Sequence, residues 1–391
     1  MVEQLIRNEK VGGSIPLSGT NRLYPAMGFP SPHQGLSMNT SSKILTALAV
    51  SVLLTACPGS GDSSSSTTTY TTIYGLAYDS TNSKLYIANA GRSTIQSLDP
   101  STLTNTPVTL AGGDNVTGTT NGDGTAARFN NPMGLAMTST TTLVVADTGN
   151  SLLRKITSLT GTKTVANYAT GGSFSYPIEM AVSTTDLYVA DANNHAIKKI
   201  SLTSEASETW AGTAGTSGTT TSVTRLSALF NQPTGIAIDT GNNVVYVSDS
   251  SNHTIRKIDI ASGTVTTIAG VAGTSGYKNS ATGSSANFYV PTTLVFTNNA
   301  LYVTDTGNHA IRKIDTTTNA VTTFAGSAGT IDTSLTAVSG STDGTSTAAR
   351  FYTPRGIALN GTTLYVGDQN GTKLRKIDLT TGVVTTFTTT F

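Results

Sequence analysis

The chain carries apolar and polar residues in short alternating segments of strand length, from residue 73 to the C-terminus. Val, Ile, Leu, Tyr and Thr dominate these segments, as a pleated and half-buried surface favours. No helical stripe of useful length follows residue 56. The pattern therefore predicts an all-β protein built from repeated units.

Each unit contains an apolar strand, a second strand that ends in Asp, a tight turn and a third strand. An apolar residue stands six and nine positions after this anchor in every copy, and Asn89 replaces the Asp in the first copy. Successive anchors are 44 to 63 residues apart, as expected for four-stranded propeller blades of about 40 to 50 residues with extra length in inserts. The five anchor residues are Asp147, Asp191, Asp249, Asp305 and Asp368.

The clearest copies begin at Asp249 and Asp305 and have the form Asp-x-x-Asn-His-x-Ile-Arg-Lys-Ile. This sequence motif, with Pro-x-Gly-Ile-Ala before it, resembles the repeat of the NHL family, which builds closed β-propellers. The resemblance implies a six-bladed β-propeller of four-stranded antiparallel blades over residues 73–391. Small residues such as Gly75 and Gly134 are expected on the crowded innermost strands. We expect blade six to close the ring by packing against blade one, without exchange of a strand.

The repeated turns place His195, His253 and His309 in equivalent positions. Such residues lie apart around a wheel and do not converge, so we predict that they and the anchor Asp residues are structural, with Asp capping the turn amides. No catalytic residue, metal or cofactor is predicted. The position before each His is expected to be left-handed, because blade six has Gly371 there. The other residues at this position are Asn150, Asn194, Asn252 and Asn308.

Basic pairs such as Arg256-Lys257 and Arg312-Lys313 recur on the third strand. Neighbouring strand residues point to opposite faces, so each pair is split, and we expect solvated charges at the strand edges. The chain has 23 basic and 22 acidic residues. This balance argues against a nucleic-acid partner, although the NHL family has RNA-binding members.

The N-terminal region contains a charge-free stretch from Ile44 to Leu54 after Lys43. Its 11 residues are too few for a membrane-spanning helix but suit a secretory signal. The sequence from Leu54 to Cys57 resembles the bacterial lipobox. The resemblance implies cleavage between Ala56 and Cys57, acylation of Cys57 by fatty acids such as palmitate, and a membrane partner through this lipid.

These features divide the chain into four predicted parts. Residues 1–37 are expected to be a mis-called extension and residues 38–56 a lipoprotein signal peptide. Residues 57–72 are expected to be a lipidated tether rich in Ser and Thr. Residues 73–391 are expected to form the propeller. We expect export and lipid anchoring at the outer membrane or cell surface of a bacterium.

Four long inserts join successive blades. Because antiparallel strands alternate in direction, the inserts and the histidine turns are expected on one face, where binding residues often lie. Two charged residues interrupt the innermost strands, Glu179 and Arg355, and are candidates for the rim of the central channel. The inserts are Gly113 to Ala127, Thr213 to Ala228, Val271 to Asn287 and Ser327 to Ala349.

Two functions fit this architecture. The first is a surface-anchored, non-catalytic scaffold that binds a protein or a glycan through the inserts. The alternative is an extracytoplasmic propeller enzyme of the lyase or lactonase type, with its site in the central channel. An enzyme needs converging groups of perturbed pKa at the axis, and the sequence offers only Glu179 and Arg355 there.

Overall fold

The computed structural model describes residues 72–169, 171–326, 339–368 and 372–391. The predicted extension, signal peptide and Cys57, and nearly all of the tether, lie outside the described residues. No helix in the described ranges is both long enough and apolar enough to cross a membrane.

Six antiparallel sheets form the six blades of a β-propeller, which confirms the predicted fold class. The first three blades consist of β1 (Ile73–Asp79), β2 (Lys84–Asn89), β3 (Thr94–Leu98) and β4 (Val108–Ala111); β5 (Gly122–Asp123), β6 (Leu135–Ser139), β7 (Thr142–Asp147), β8 (Leu152–Thr157) and β9 (Thr164–Tyr168); and β10 (Pro177–Val182), β11 (Asp186–Asp191), β12 (Ala196–Ser201) and β13 (Ser207–Ala211). The last three consist of β14 (Pro233–Asp239), β15 (Val244–Asp249), β16 (Thr254–Asp259) and β17 (Val265–Ala269); β18 (Pro291–Thr297), β19 (Ala300–Asp305), β20 (Ala310–Asp315) and β21 (Val321–Gly326); and β22 (Gly344–Thr345), β23 (Pro354–Asn360), β24 (Thr363–Asp368), β25 (Lys373–Asp378) and β26 (Val383–Thr386).

Short 3-10 turns are the helical elements of the described residues. Four of them follow an anchor Asp, and the other four lie in the inserts. Their bounds are Gly124–Ala126, Thr148–Asn150, Ala192–Asn194, Arg225–Ser227, Ser250–Asn252, Gly283–Ser285, Thr306–Asn308 and Ser346–Ala348.

Two blades have a fifth strand that the sequence did not indicate. The short strands β5 and β22 extend the outer edges of blades two and six. Thr164 donates its hydroxyl to Asp123 Oδ1 at 3.0 Å, and Thr386 donates to Asp343 Oδ1 at 2.6 Å. These hydrogen bonds fix part of the first and fourth inserts to the blade edge.

The ring closes by direct packing of β1 against β23. Ile73 and Leu76 of blade one share an apolar cluster with Ala358 and Tyr365 of blade six. All strands of the sixth sheet come from residues 344–386, so closure without strand exchange is confirmed for the described residues.

Small residues on the innermost strands have a steric cause, as expected. A Cβ atom at Gly134 would lie 1.8 Å from the carbonyl oxygen of Ile178, and one at Gly356 would lie 1.8 Å from that of Tyr74. The backbone of the next blade fills this space. Blade five has Thr293 at the same position, and its hydroxyl donates to the Arg355 carbonyl.

Candidate functional site

The three turn histidines connect neighbouring blades. Each has left-handed backbone angles, with φ between 52° and 59°, at the end of its 3-10 turn. Each Nδ1 accepts a backbone N–H from the following blade, which places the ring proton on Nε2. Burial lowers the pKa of all three imidazoles. The hydrogen bonds run from Gln232 to His195 (3.1 Å), from Val290 to His253 (3.2 Å) and from Thr353 to His309 (3.0 Å).

The residues that donate to these histidines are themselves in unfavourable backbone conformations. Val290 and Thr353 have φ of 51° and 52°, although both are β-branched and both precede a proline. Such strain persists only where the surroundings hold it. The histidines therefore stabilise the chain where it begins the next blade, and they do not converge on a common point.

The anchor Asp residues bind the start of their own blade. In blade four, Asp249 Oδ1 accepts the backbone N–H of Asn231 at 2.6 Å, and Oδ2 accepts the side chain of Asn252 at 2.8 Å. The prediction that Asp caps the turn amides is wrong, because these Asp side chains make no cap hydrogen bond to the 3-10 turn. The left-handed residue is also not the Asn but the residue after it, because the Asn still belongs to the 3-10 turn. Gly371 lies outside the described residues.

Four anchors also form buried ion pairs with arginine. The corresponding side chains are at most 1% exposed, so the prediction of solvated strand-edge charges is wrong for the arginines. The lysine that follows each of them is on the opposite face and only partly buried, as strand alternation predicts. The pairs are Asp147–Arg154 (3.0 Å), Asp249–Arg256 (2.9 Å), Asp305–Arg312 (2.7 Å) and Asp368–Arg375 (3.2 Å).

These arginines hold the inserts on the propeller. Arg256 donates to the carbonyl oxygens of Leu229 and Thr220, both at 2.9 Å, and lies over the ring of Phe230 at 5.1 Å. Burial raises the pKa of Asp249 to about 6, and the arginine opposes this rise. We call this unit of anchor Asp, buried Arg and Phe the insert clamp. The other three insert clamps contain Arg154 with Phe129, Arg312 with Phe288 and Arg375 with Phe351.

Inserts and histidine turns lie on the same face, as predicted. Asn252 of the turn donates to the carbonyl oxygen of Gly218 in the second insert at 2.7 Å. Asn150 and Asn308 make the equivalent bonds to Gly118 and Gly276. We call this surface the insert-bearing face.

The central channel contains a cavity of about 260 Å³ lined by the innermost strand of all six blades. Partly exposed residues such as Tyr78, Met137 and Val182 surround its opening, on the face opposite the inserts. Glu179 and Thr293 are the lining residues farthest along the innermost strands from this opening. No group of three His, Cys, Asp or Glu side chains able to hold a metal occurs in the ranges that the structure covers.

The two predicted rim residues are both buried. Glu179 is 7% exposed, and burial raises the pKa of its carboxyl to about 8. Arg355 is 5% exposed and precedes the position equivalent to Glu179, so it is one residue closer to the insert-bearing face. Its guanidinium lies 5.3 Å from the centre of the Tyr74 ring. The sequence alone showed that both residues break the repeat, but not how deep they lie.

An NHL repeat model matches residues 230–258, which include the anchor and turn of blade four. The chain is also similar to two longer curated proteins. It is 29% identical over 281 residues to Protein SUPPRESSOR OF QUENCHING 1, chloroplastic, of Arabidopsis thaliana. This match covers 66% of this chain and 26% of that protein. It is 27% identical over 301 residues to human NHL repeat-containing protein 2, with coverage of 66% and 40%. The chain thus spans well under half the length of these relatives.

Solved structures share the fold at low sequence identity. An auxiliary nutrient binding protein from Bacteroides thetaiotaomicron superimposes with a TM-score of 0.60 at 17% identity, over 81% of this chain and 70% of that chain. Its counterpart from Bacteroides ovatus gives 0.59 at 16% identity, with the same coverage. A nidogen/laminin complex gives 0.52 at 13% identity, over 76% of this chain and 90% of that chain. At these identities the likeness concerns the fold.

Proposed function

We propose that the protein is a non-catalytic binding scaffold that holds its ligand on the insert-bearing face. The observation that carries this proposal is the insert clamp, which recurs in each of the four blades that follow an insert. Four buried ion pairs would be a costly way to hold loops that had no role. Loops held on a rigid scaffold are a common location for recognition.

A neutral, hydroxyl-rich ligand such as a glycan suits this face best. Residues 213–224 of the second insert contain Gly, Ala, Ser, Thr and Val and no charged residue. Tyr352 is 40% exposed beside the fourth insert and packs against His309. Tyrosine offers a rigid apolar ring together with a hydroxyl, which is useful at binding surfaces. The nutrient-binding proteins with this fold agree with such a role, and a protein ligand remains the alternative.

Calorimetric titration with a panel of neutral oligosaccharides tests this function. We expect Tyr352→Ala to weaken binding at least about tenfold, which is about 1.4 kcal/mol. Val108→Ala is the matched control, because Val108 is 66% exposed on outer strand β4. Absence of binding to every oligosaccharide, or equal weakening by both variants, would contradict a glycan site on this face. A stoichiometric divalent ion in the purified protein would instead favour the enzyme alternative.

We further propose that the scaffold is exported and held on a membrane by a lipid at Cys57. The support is the lipobox-like sequence from Leu54 to Cys57 after a charge-free stretch. Several acyl chains on one cysteine would hold the protein far more firmly than one chain. Labelled palmitate should enter the wild-type protein in bacteria and not Cys57→Ser. Equal labelling of both, or recovery of the wild type in the cytosol, would refute the anchor.

A further inference from the structure

We propose that the central channel is a second binding site, for a small organic ammonium ion with an apolar body, and that Glu179 is the counter-ion. This site opens on the face opposite the inserts. It is therefore separate from the proposed glycan site, and either proposal can be wrong without affecting the other.

The shape and lining of the cavity define the body of the ligand. Leu76, Leu135, Ile236 and Ile357 contribute to the wall, and alanines such as Ala136 lie between them and the opening. The cavity of about 260 Å³ exceeds the about 150 Å³ that accommodates benzene, and it is just below the about 300 Å³ at which drug-sized sites begin. The ligand is therefore compact and mostly apolar.

Glu179 supplies the charge at the end of the cavity nearest the insert-bearing face. Its Oε2 accepts the backbone N–H of Met180 at 3.2 Å, and the carboxyl forms no ion pair with any residue in the described ranges. A buried carboxylate without a cation is unfavourable, and the raised pKa of Glu179 has this cause. A ligand ammonium in the cavity would provide the opposite charge and displace the proton.

Blade three departs from the repeat to place this carboxyl. Four of the other five blades have glycine at the equivalent position, and blade five has Thr293. A glycine there lies against the next blade, as Gly134 does, so a glutamate is not required for closure. Glu179 therefore places an ionisable group in the wall of the cavity, at a position where the packing of the blades requires none.

The neighbouring titratable groups favour an organic cation over an anionic ligand or a metal ion. Tyr74, Tyr176 and Arg355 lie toward the insert-bearing face, and none of them lines the cavity. An anionic ligand would therefore meet the carboxyl of Glu179 instead of the guanidinium of Arg355. A metal ion would find one carboxyl and one hydroxyl, whereas calcium takes about six to eight oxygen ligands.

Titration of the purified full-length protein with benzylamine tests the site, with benzyl alcohol as the neutral probe of the same shape. At pH 7 we expect benzylammonium to bind at least about tenfold more tightly than benzyl alcohol. We also expect release of close to one proton, measured in two buffers of different ionisation enthalpy, because the free carboxyl is mostly protonated.

The variant Glu179→Gln removes the negative charge but nearly preserves the shape of the cavity. This variant should bind benzylammonium at least about tenfold more weakly and should release no proton on binding. Its affinity for benzyl alcohol and for oligosaccharides should stay unchanged. Retained binding of benzyl alcohol also shows that the variant is folded. Equal affinity of the two probes, undiminished amine binding by Glu179→Gln, or no binding of either probe to the wild type would overturn the proposal.

Discussion

Blades three and four share the anchor Asp and the turn His but differ in how they hold the preceding connection. In blade four, Arg256 binds Asp249, the carbonyl of Thr220 in the 16-residue insert (residues 213–228) and the carbonyl of Leu229 directly after that insert. Blade three has Lys198 instead, which donates to Thr209 at 3.0 Å and follows only a short connection. The planar guanidinium can bind several acceptors at once, whereas an ammonium is a compact point charge.

This difference indicates that the buried arginine holds the insert on its blade and is not needed to form the ring. Blade one supports this, because β1 is the first strand of the described residues and does not follow an insert between two blades, and the pair in blade one is neutral. Asn89 donates to Gln96 at 3.3 Å, in place of Asp and Arg. Blade three thus builds a complete blade without the clamp, and its innermost strand carries the exceptional Glu179.

The largest effect is expected when a clamp loses its arginine. Arg256→Met leaves Asp249 buried without its counter-ion and two carbonyls without donors, and should cost about 3 to 5 kcal/mol of unfolding free energy. Lys198→Met in blade three should cost less, about 1 to 2 kcal/mol, because it removes one hydrogen bond to Thr209 and the favourable charge of Lys198 near Asp191 but leaves no carbonyl of an insert without its donor. Urea unfolding measures both values. Equal losses would show that the two blades do not differ as described.

Glu179 should make the stability of the protein depend on pH. Its folded pKa of about 8 exceeds the ordinary glutamate pKa of 4.5, so the folded state keeps a proton that the unfolded chain releases. The resulting stability is present at low pH and is lost as the pH rises through about 8. Relative to Glu179→Gln, the wild type should lose about 3 kcal/mol between about pH 6 and 9. A difference between the two proteins that does not change with pH would contradict the burial of this carboxyl.

The neutral pair of blade one can be transferred to blade four. Asp249→Asn with Arg256→Gln should be less destabilising than the sum of the single changes, because no unpaired charge remains buried. The coupling should be about 1 to 3 kcal/mol in a double-mutant cycle. Additive losses would mean that Asp249 and Arg256 act independently.

Removing a turn histidine should cause a smaller loss of unfolding free energy. His253→Ala removes the acceptor of the Val290 N–H and should cost about 1 to 2 kcal/mol. Blade two has Ser151 at this position, with a longer contact of 3.4 Å to the Tyr176 N–H, so Ser151→Ala should cost less. Thermal unfolding measures both. An unchanged stability of His253→Ala would contradict the role as a connection between blades.

The sequence predicted the blades, the ring closure and the common face of inserts and turns, because repeats and strand alternation are local properties. It did not predict that Arg256 is buried, since alternation separates Arg from Lys without telling which one faces inward. One signal was available: arginine occurs in the four blades that follow an insert, and Lys198 and Gln96 replace it elsewhere. The depth of Glu179 depends on how six strands meet at the axis, which no single repeat determines.

Hydrogen exchange in Arg256→Lys tests most directly whether the clamp holds its insert. The lysine keeps the charge beside Asp249 but cannot also bind the carbonyls of Thr220 and Leu229 as the guanidinium does. We predict that amides of residues 213–228 exchange at least about tenfold faster, whereas those of residues 171–176 before blade three stay unchanged. Unaltered exchange in the insert, or equal acceleration in both segments, would contradict the account.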